Sequence, residues 1–515
     1  MWPTVAPPSP AASSRGVGTI ASTGSTAMSE QPSQHPSQEP QGSQPASAPI
    51  VITARTGRLK RRIALGIVVL VAAAGGGVYG VTQLGGDDAP PGAEAVDVPD
   101  AVLPDLAAAA PVLAALSADA PAPDPATLQS KLGPLVAAPA LGSGVSAEVV
   151  DVASGKEVYG LDPTTPSTPA STAKLLTTVA ALATLDPAAT LKTTVVQGDS
   201  PGEVVLVGGG DVTLSRTSPS KSYPGAPTVA DLAQQVVAAL PAGTPITGVV
   251  VDNSLYTGPL TAAGWGTGDA PSSYAAPVTA TVVDGARVQP GSETRSGQPG
   301  LDAGDALADA LGASAASVTL GAAPQGAKTL ATVESAPVGR LVEQTLSMSD
   351  NMLAETLARQ VAIARGEPAS FEGGATAVQA ALSDAGVDLT GVTLSDGSGL
   401  SRQDKVPAAV LAHLLTGAAD GSLDSAGAVL SGLPVAGYDG TLVDRGDDDP
   451  KTAPGTVRAK TGTLAGVHAL AGTVVTVDGR LLAFALLADS ATGVGTAAED
   501  ALDEIAAELA RCGCS

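Results

Sequence analysis

The sequence predicts an α/β (α+β) body carrying a strand-rich insertion, preceded by one membrane-spanning helix and a disordered N-terminal tail. Three observations carry this. From Ala126 onward, helix-period and strand-period runs alternate. Between about Thr193 and Ala336 the chain turns to short Val/Thr-rich runs separated by Gly and Pro. Ahead of both, Ile63–Leu84 is a stretch of 22 residues without a charge.

Residues 1–54 are rich in Pro, Ser, Gln and Ala, show almost no apolar periodicity and read as a disordered tail. Residues 55–84 join a basic cluster (Arg55, Arg58, Lys60, Arg61, Arg62) to the uncharged stretch. As a helix that stretch spans about 33 Å, against roughly 30 Å of bilayer hydrocarbon. The cluster before it, and Asp87-Asp88 after it, place the N-terminus in the cytoplasm and the body outside. A cleaved signal peptide is the competing reading, with Ala72-Ala73-Ala74 as cleavage site. It would need a leader of over 60 residues, and the apolar run continues to Leu84. Residues 85–125 form an Ala/Pro/Asp linker, with a short helix expected at Leu106–Leu116.

In the body, Leu128–Val136 reads as a helix. Gly144–Val152 and Lys156–Tyr159 form a hairpin around Ala153-Ser154-Gly155, and a long apolar helix runs from Ser171 to about Leu185. Residues 193–336 hold the inserted module. Its strands are expected at Thr193–Val196, Glu203–Val207, Gly248–Val251 and Thr279–Val283, with one helical run at Val229–Leu240. Helices return at Leu341–Ala364, Gly374–Ala385 and Ala408–Ala418. The end reads strand, strand, strand, helix: Thr456–Lys460, Val467–Val477, Leu481–Leu487 and Ala497–Arg511. Residues 126–192 and 337–515 thus make one discontinuous domain. With 515 residues the chain is long enough for about two to four units. Aromatics are 2 % of it, so its cores are built from Ala, Val and Leu.

Net charge is −24, unevenly spread. Through Arg62 there are 6 basic and 2 acidic residues, a net +4; the rest holds 20 basic and 48 acidic, a net −28. An acidic body argues against nucleic acid as a partner. Cys512 and Cys514 form no disulfide framework and read as a frayed tail, with a local disulfide or a tethering thiol as alternatives. No His, Cys or carboxylate cluster has metal-ligand spacing, and no cofactor motif is present.

Three motifs carry chemistry. Ser171-Thr172-Ala173-Lys174 opens a helix, where residues three apart share a face, so the lysine amine can reach the serine hydroxyl. Ser218-Pro219-Ser220-Lys221 has the same spacing but sits in a Pro/Ser-rich stretch with no helix to fix it. Ser349-Asp350-Asn351 offers a hydroxyl to pass a proton and an amide to position a carbonyl and the lysine. Lys460-Thr461-Gly462, followed by Thr463, offers a cation and hydroxyls for a carboxylate on a strand edge. Each is weak alone; their order and settings together are not. His35 lies in the tail, and His413 and His468 read as packing or surface residues, so no histidine triad competes.

The set resembles the penicillin-recognising serine transferases, and within them the class C low-molecular-weight penicillin-binding proteins, D-alanyl-D-alanine carboxypeptidase/endopeptidases. Ser171 and Ser349 are 178 positions apart, matching the long insertion of that family. Further stretches resemble it: Gly208–Asp211 with Thr213-Leu214, Asp252–Tyr256, Asp396–Arg402 and Gly437–Leu442. Val212 stands where the family's pattern has proline. The resemblance covers about Leu128 to Leu509 and implies a serine β-lactamase/transpeptidase-like fold, an antiparallel sheet flanked by helices plus an all-helical subdomain. It implies catalytic roles for Ser171, Lys174, Ser349, Asn351 and Lys460, and substrate binding by Thr461, Gly462 and Thr463, with Arg402 at the rim. It further implies backbone N–H groups of Ser171 and Thr463 as an oxyanion hole, peptidoglycan stem peptides as substrates and β-lactams as covalent inhibitors. A serine β-lactamase is the nearest alternative, but the Glu-x-x-Leu-Asn element of class A is absent. A non-catalytic cell-wall binding protein would be expected to have lost a catalytic residue, and none is missing.

Overall fold

A computed structural model describes residues 119–445, 453–493 and 496–513. The tail, the basic cluster, the apolar segment Ile63–Leu84 and residues 85–118 of the linker lie outside the described residues. Among the described residues no helix is long and apolar enough to cross a membrane.

The chain enters through α1 (Pro125–Val136), capped by Asp124, whose carboxylate accepts from Thr127 N at 2.8 Å, with Pro125 at the first helical position. The hairpin β1 (Val145–Asp151) and β2 (Lys156–Leu161) follows. A 3-10 turn (Ala170–Ala173) leads into α2 (Lys174–Thr184). The inserted region holds β3 (Lys192–Gln197), β4 (Glu203–Val207), α3 (Val229–Ala239), β5 (Gly248–Asp252), α4 (Pro299–Ala310), β6 (Ser317–Leu320) and β7 (Thr329–Glu334). Then come α5 (Val338–Ser347), α6 (Asn351–Arg365), α7 (Phe371–Asp384), α8 (Ala408–Asp420) and α9 (Gly427–Gly432). The chain closes with β8 (Val457–Leu464), β9 (Val467–Val475), β10 (Leu481–Ala488) and α10 (Ala497–Arg511).

The first sheet is antiparallel throughout, in the order β2-β1-β10-β9-β8. Its faces follow the strand period of two. Leu482, Phe484 and Leu486 of β10 pack in one core with α1 and α10, while Ala483, Ala485 and Leu487 face the other core with α2 and α8. The second face is lined by small residues, Ala469, Ala471, Ala483 and Ala485, so helices approach it closely. Helix α2 is buried all round from Lys174 to Leu182, because it lies at the centre of α5, α6, α7 and α8. This helical group and the antiparallel sheet are the architecture the sequence implied.

The inserted region departs from expectation. Its sheet is mixed, in the order β6-β5-β4-β3-β7, with β4-β5 and β5-β6 parallel. Parallel neighbours need crossovers, and α3 and α4 supply them, so the region is α/β rather than merely strand-rich. Helix α4 escapes a periodicity reading because Gly and Ala fill its buried face. Gly304 is required there: a Cβ would meet Val318 and Val251 side chains at 2.5 and 2.7 Å. Thr279–Val283 is not a strand. Its backbone is spent on loops, with Ala280 O accepting from Gly210 N at 3.0 Å and Thr281 N donating to Asn253 Oδ1 at 2.9 Å. The stretches Gly208–Asp211 and Asp252–Tyr256 meet at this segment. The expected single helix Leu341–Ala364 is two, α5 and α6, broken at Ser349. Cys512 is not frayed: it is buried in the α1/α10 core and disulfide-bonded.

Candidate active site

Three elements converge: the 3-10 turn before α2, the α5–α6 corner and the edge strand β8. Ser171 and Lys174 sit one 3-10 turn apart, and Lys174 Nζ lies 2.9 Å from Ser171 Oγ. The same nitrogen donates to Asn351 Oδ1 at 2.6 Å and to Ser398 O at 2.7 Å. Lys174 is 0 % exposed. Burial lowers its pKa to about 8, against the pull of Asp396 and Glu355, which favour the charged form. A lysine of that kind loses its proton close to neutral pH.

The turn carrying Ser171 is tightly wedged. Ala170 holds a left-handed φ of +47°. Gly399 (φ +77°) packs so close that a Cβ would overlap the Ala170 carbonyl oxygen. On the other side, a Cβ on Gly462 would lie 2.8 Å from the Pro169 carbonyl oxygen. The glycine of the third motif therefore lets β8 pass against the turn that carries Ser171.

Ser349-Asp350-Asn351 is a helix–helix corner. Ser349 N donates to Leu346 O at 3.4 Å and Asp350 N to Thr345 O at 3.2 Å, closing α5 in a Schellman motif. Glycine usually fills that left-handed position; here Ser349 does, at φ +52°. A non-glycine residue held there costs on the order of 1–3 kcal/mol and is characteristic of functional sites. Asp350 then caps α6, accepting from Met352 N at 2.8 Å and Leu353 N at 3.2 Å. Asn351 begins that helix. Its Nδ2 donates to Tyr274 O at 3.1 Å, which turns Oδ1 toward Lys174. Asn351, not Ser349, is the member bonded to Lys174 Nζ.

Lys460-Thr461-Gly462 lies inside β8, at the sheet edge. Pro434–Ala436 covers the start of that edge: Ala459 N donates to Pro434 O at 3.0 Å and Ala436 N to Val457 O at 3.0 Å. By strand alternation, the backbone N–H groups of Thr461 and Thr463 also point away from β9. Lys460 is 0 % exposed, and its Nζ donates to Thr461 O at 2.8 Å. Burial, then the charges of Lys174 and Arg445, hold its pKa well below the usual lysine range. Thr461 Oγ1 lies 2.9 Å from Thr441 Oγ1. Thr463 Oγ1 donates to Glu499 Oε1 at 3.0 Å, so this hydroxyl is turned to α10 rather than toward the cleft. Arg402 is exposed and donates to Ala465 O at 3.1 Å, joining the Asp396–Arg402 loop to the β8–β9 turn at the rim. The alternative Ser218–Lys221 lies in non-helical chain, and its Ser220 Oγ accepts from Tyr223 N at 3.1 Å.

Beneath Lys174 lies a shell outside the three motifs. Asp396 Oδ1 accepts from Ser398 N (3.0 Å) and Gly399 N (2.6 Å), and its Oδ2 from Ser401 N (2.8 Å) and Trp265 Nε1 (2.7 Å). That fan of donors presents the Ser398 carbonyl to Lys174. Glu355 Oε1 accepts from Gly397 N at 3.0 Å; burial, then Asp396, raises its pKa to about 7. Asp404, fully buried, is raised to about 10 by burial and by Asp396, so it carries a proton at neutral pH. The only signal for this shell in the sequence is the Asp396–Arg402 stretch itself.

Comparison with known proteins gives the family. The D-Ala-D-Ala carboxypeptidase 3 (S13) family profile matches residues 128–300 and 291–509. Carboxypeptidase DacB of Mycolicibacterium smegmatis is 41 % identical over 419 residues, 80 % of this chain and 90 % of the relative. Carboxypeptidase Rv3627c of Mycobacterium tuberculosis is 38 % identical over 401 residues, 76 % of this chain and 86 % of the relative. The crystal structure of penicillin binding protein 4 from Haemophilus influenzae shares the fold, with a TM-score of 0.60 at 22 % identity, covering 73 % of this chain and 97 % of that one. With the lysine–serine pair, the asparagine and the lysine-bearing edge strand gathered at one place, the chain belongs to the D-Ala-D-Ala carboxypeptidase 3 (S13) family and is a serine-type D-Ala-D-Ala carboxypeptidase.

Proposed function

We propose that Ser171 is the nucleophile for stem peptides ending in D-Ala-D-Ala and that Lys174 is its base. The observation carrying this is the buried Lys174 Nζ at 2.9 Å from Ser171 Oγ, with a pKa of about 8. Lys174 takes the Ser171 proton as Oγ attacks the carbonyl carbon of the penultimate D-Ala. The N–H groups of Ser171 and Thr463 receive the negative oxygen. As the peptide C–N bond breaks, Ser349 passes its proton to the departing D-Ala amine and takes in exchange the proton Lys174 received from Ser171. Water then attacks the Ser171 ester and frees the shortened peptide. Asn351 orients Lys174 and the peptide. Lys460, with Thr461, receives the terminal carboxylate, and that negative charge offsets the cost of a buried ammonium; the Thr463 hydroxyl, held by Glu499, takes no part in this. Arg402 borders the entrance.

The same acyl-enzyme forms with β-lactams, and the same attack on a cross-link would give endopeptidase activity. The body works outside the cytoplasmic membrane, held by Ile63–Leu84 with the N-terminus inside; the charge step from +4 to −28 across that segment supports this. The test is Ser171→Ala. It should abolish both covalent labelling by a fluorescent penicillin and release of D-Ala from a D-Ala-D-Ala peptide. Persistent labelling would mean the nucleophile is another residue.

A further inference from the structure

The inserted region meets the second motif twice: Tyr274 O accepts from Asn351 Nδ2, and a group of its side chains surrounds the Asp350 carboxylate. One oxygen of that carboxylate caps α6. The other faces three side chains from the insert: Tyr223 OH at 2.8 Å, Arg295 Nη2 at 3.6 Å and Arg287 Nη2 at 3.8 Å. Tyr223, Asp350 and Arg295 are 4 %, 5 % and 6 % exposed, so this is an interior cluster. Arg287 Nη1 also donates to Tyr223 OH at 3.1 Å, and its guanidinium lies 5.4 Å from the tyrosine ring centroid.

The two arginines are themselves held by a strained turn. Asp284, Gly285 and Ala286 are all left-handed, with φ of +49°, +63° and +65°. Asp284 N donates to Leu214 O at 2.7 Å and Gly285 N to Val212 O at 2.8 Å. The Asp284 carboxylate accepts from Ser215 Oγ at 2.9 Å and Arg216 Nη1 at 3.1 Å. Arg295 Nη1 donates to Gly285 O. Capping a helix needs only the carboxylate and the backbone N–H groups. A buried and a part-buried guanidinium group and a phenol on the free oxygen go far beyond a cap, and the residue beside Asp350 is the one in the unfavourable backbone conformation.

We infer that Tyr223, Arg287 and Arg295 are positioning residues that act through Asp350 to hold Ser349 in its left-handed conformation, aimed at the departing amine. The insert thus has a part in catalysis, resting on the reading above that Ser349 is the proton donor. Removing the clamp lets Ser349 relax toward ordinary φ, and the hydroxyl swings away from the leaving group.

The test uses the full chain with Tyr223→Phe and Arg295→Lys. For each, the rate of acylation by a fluorescent penicillin is measured per labelled site, taking the end-point of labelling as the count of competent molecules, alongside Tm. Both variants are repeated in a Ser349→Ala background. The expected result is an acylation rate about tenfold lower per labelled site, an unchanged deacylation rate, and disappearance of the tenfold effect once Ser349 is gone. Acylation within twofold of wild type, or an equal loss with and without Ser349, overturns the clamp and leaves the cluster as packing. Tyr223→Phe keeps both arginines on Asp350, so it decides the matter even if Arg295→Lys does not fold. Wild-type protein that takes no label would fell the functional reading and the clamp with it; normal wild-type labelling beside unaffected variants fells the clamp alone.

Discussion

Two lysines, 174 and 460, are both fully buried in the site, yet their surroundings ask opposite things of them. Lys174 has three acceptors on its nitrogen, and the carboxylates of Asp396, Glu355 and Asp350 favour its charge. Lys460 has a backbone carbonyl at 2.8 Å and faces Lys174 and Arg445, whose charges oppose its own. Burial depresses both, but only Lys174 has compensation. It is therefore balanced near neutrality, able to give and take a proton, whereas among the described residues no carboxylate pairs with Lys460. In the proposed mechanism the terminal carboxylate of the substrate is its partner. The difference separates a base from an anchor without appeal to motif names.

The sharpest way to break the comparison is to remove each lysine in turn. Lys174→Met should cut acylation by roughly 10²–10⁴-fold on every substrate, as loss of a general base does. Lys460→Met should cost about 10–100-fold in kcat/KM on a peptide with a free carboxylate, the worth of a charged hydrogen bond, and much less on the amidated peptide. Equal losses on both peptides would mean Lys460 is not the carboxylate anchor.

A smaller effect concerns pH. Lys174 acts as a base only when neutral, so acylation should rise with pH, reach half its maximum near pH 8 and level off above. A flat profile from pH 6 to 9 would remove Lys174 from the proton transfer.

The smallest expected change in rate is at Asp404. Its folded pKa of about 10 stands above the ordinary 3.8, so the folded state holds a proton that the unfolded chain releases. The stability this contributes is complete below about pH 4 and declines as pH rises toward 10. Asp404→Asn keeps a neutral side chain and can still accept from Ser395 N, now at 2.7 Å from Oδ1. It should leave acylation within about threefold of wild type and flatten the loss of Tm between pH 5 and 9. A large loss of activity at unchanged Tm would show that Asp404 must ionise.

Much of this site was legible in the sequence because each motif is local. Ser171 and Lys174 share a 3-10 turn, and Lys460 to Thr463 share a strand, so spacing alone set their geometry. The second motif was legible as a unit, but its backbone was not: nothing in Ser349-Asp350-Asn351 announces a left-handed serine between two helices. The Lys174–Asn351 bond joins residues 177 positions apart, and the Ser398 acceptor is a backbone carbonyl that any residue would provide. The strands and helices of the body were visible through periodicity, while the antiparallel sheet they build was implied by the family resemblance. The insert's second crossover was not, because α4 buries glycine and alanine, which leave little hydrophobic signal. Tyr223, Arg287 and Arg295 gave no local sign at all, since a carboxylate from another helix unites them.

The insert leaves and rejoins the body at one place. Its first and last strands, β3 and β7, are antiparallel neighbours, and the flanking chain is bonded across the gap, with Leu191 N donating to Ser335 Oγ at 2.9 Å and Ser335 N to Leu191 O at 2.9 Å. A module with adjoining ends can be acquired, exchanged or lost by a catalytic scaffold at little cost in chain entropy. That makes it a natural unit of evolutionary grafting. The side chains it lends to Asp350 and Asp396 run the other way, since Trp265 and Tyr223 leave with it. Its removal would leave Asp350 without Tyr223 and Asp396 without Trp265, however easily the chain could be rejoined.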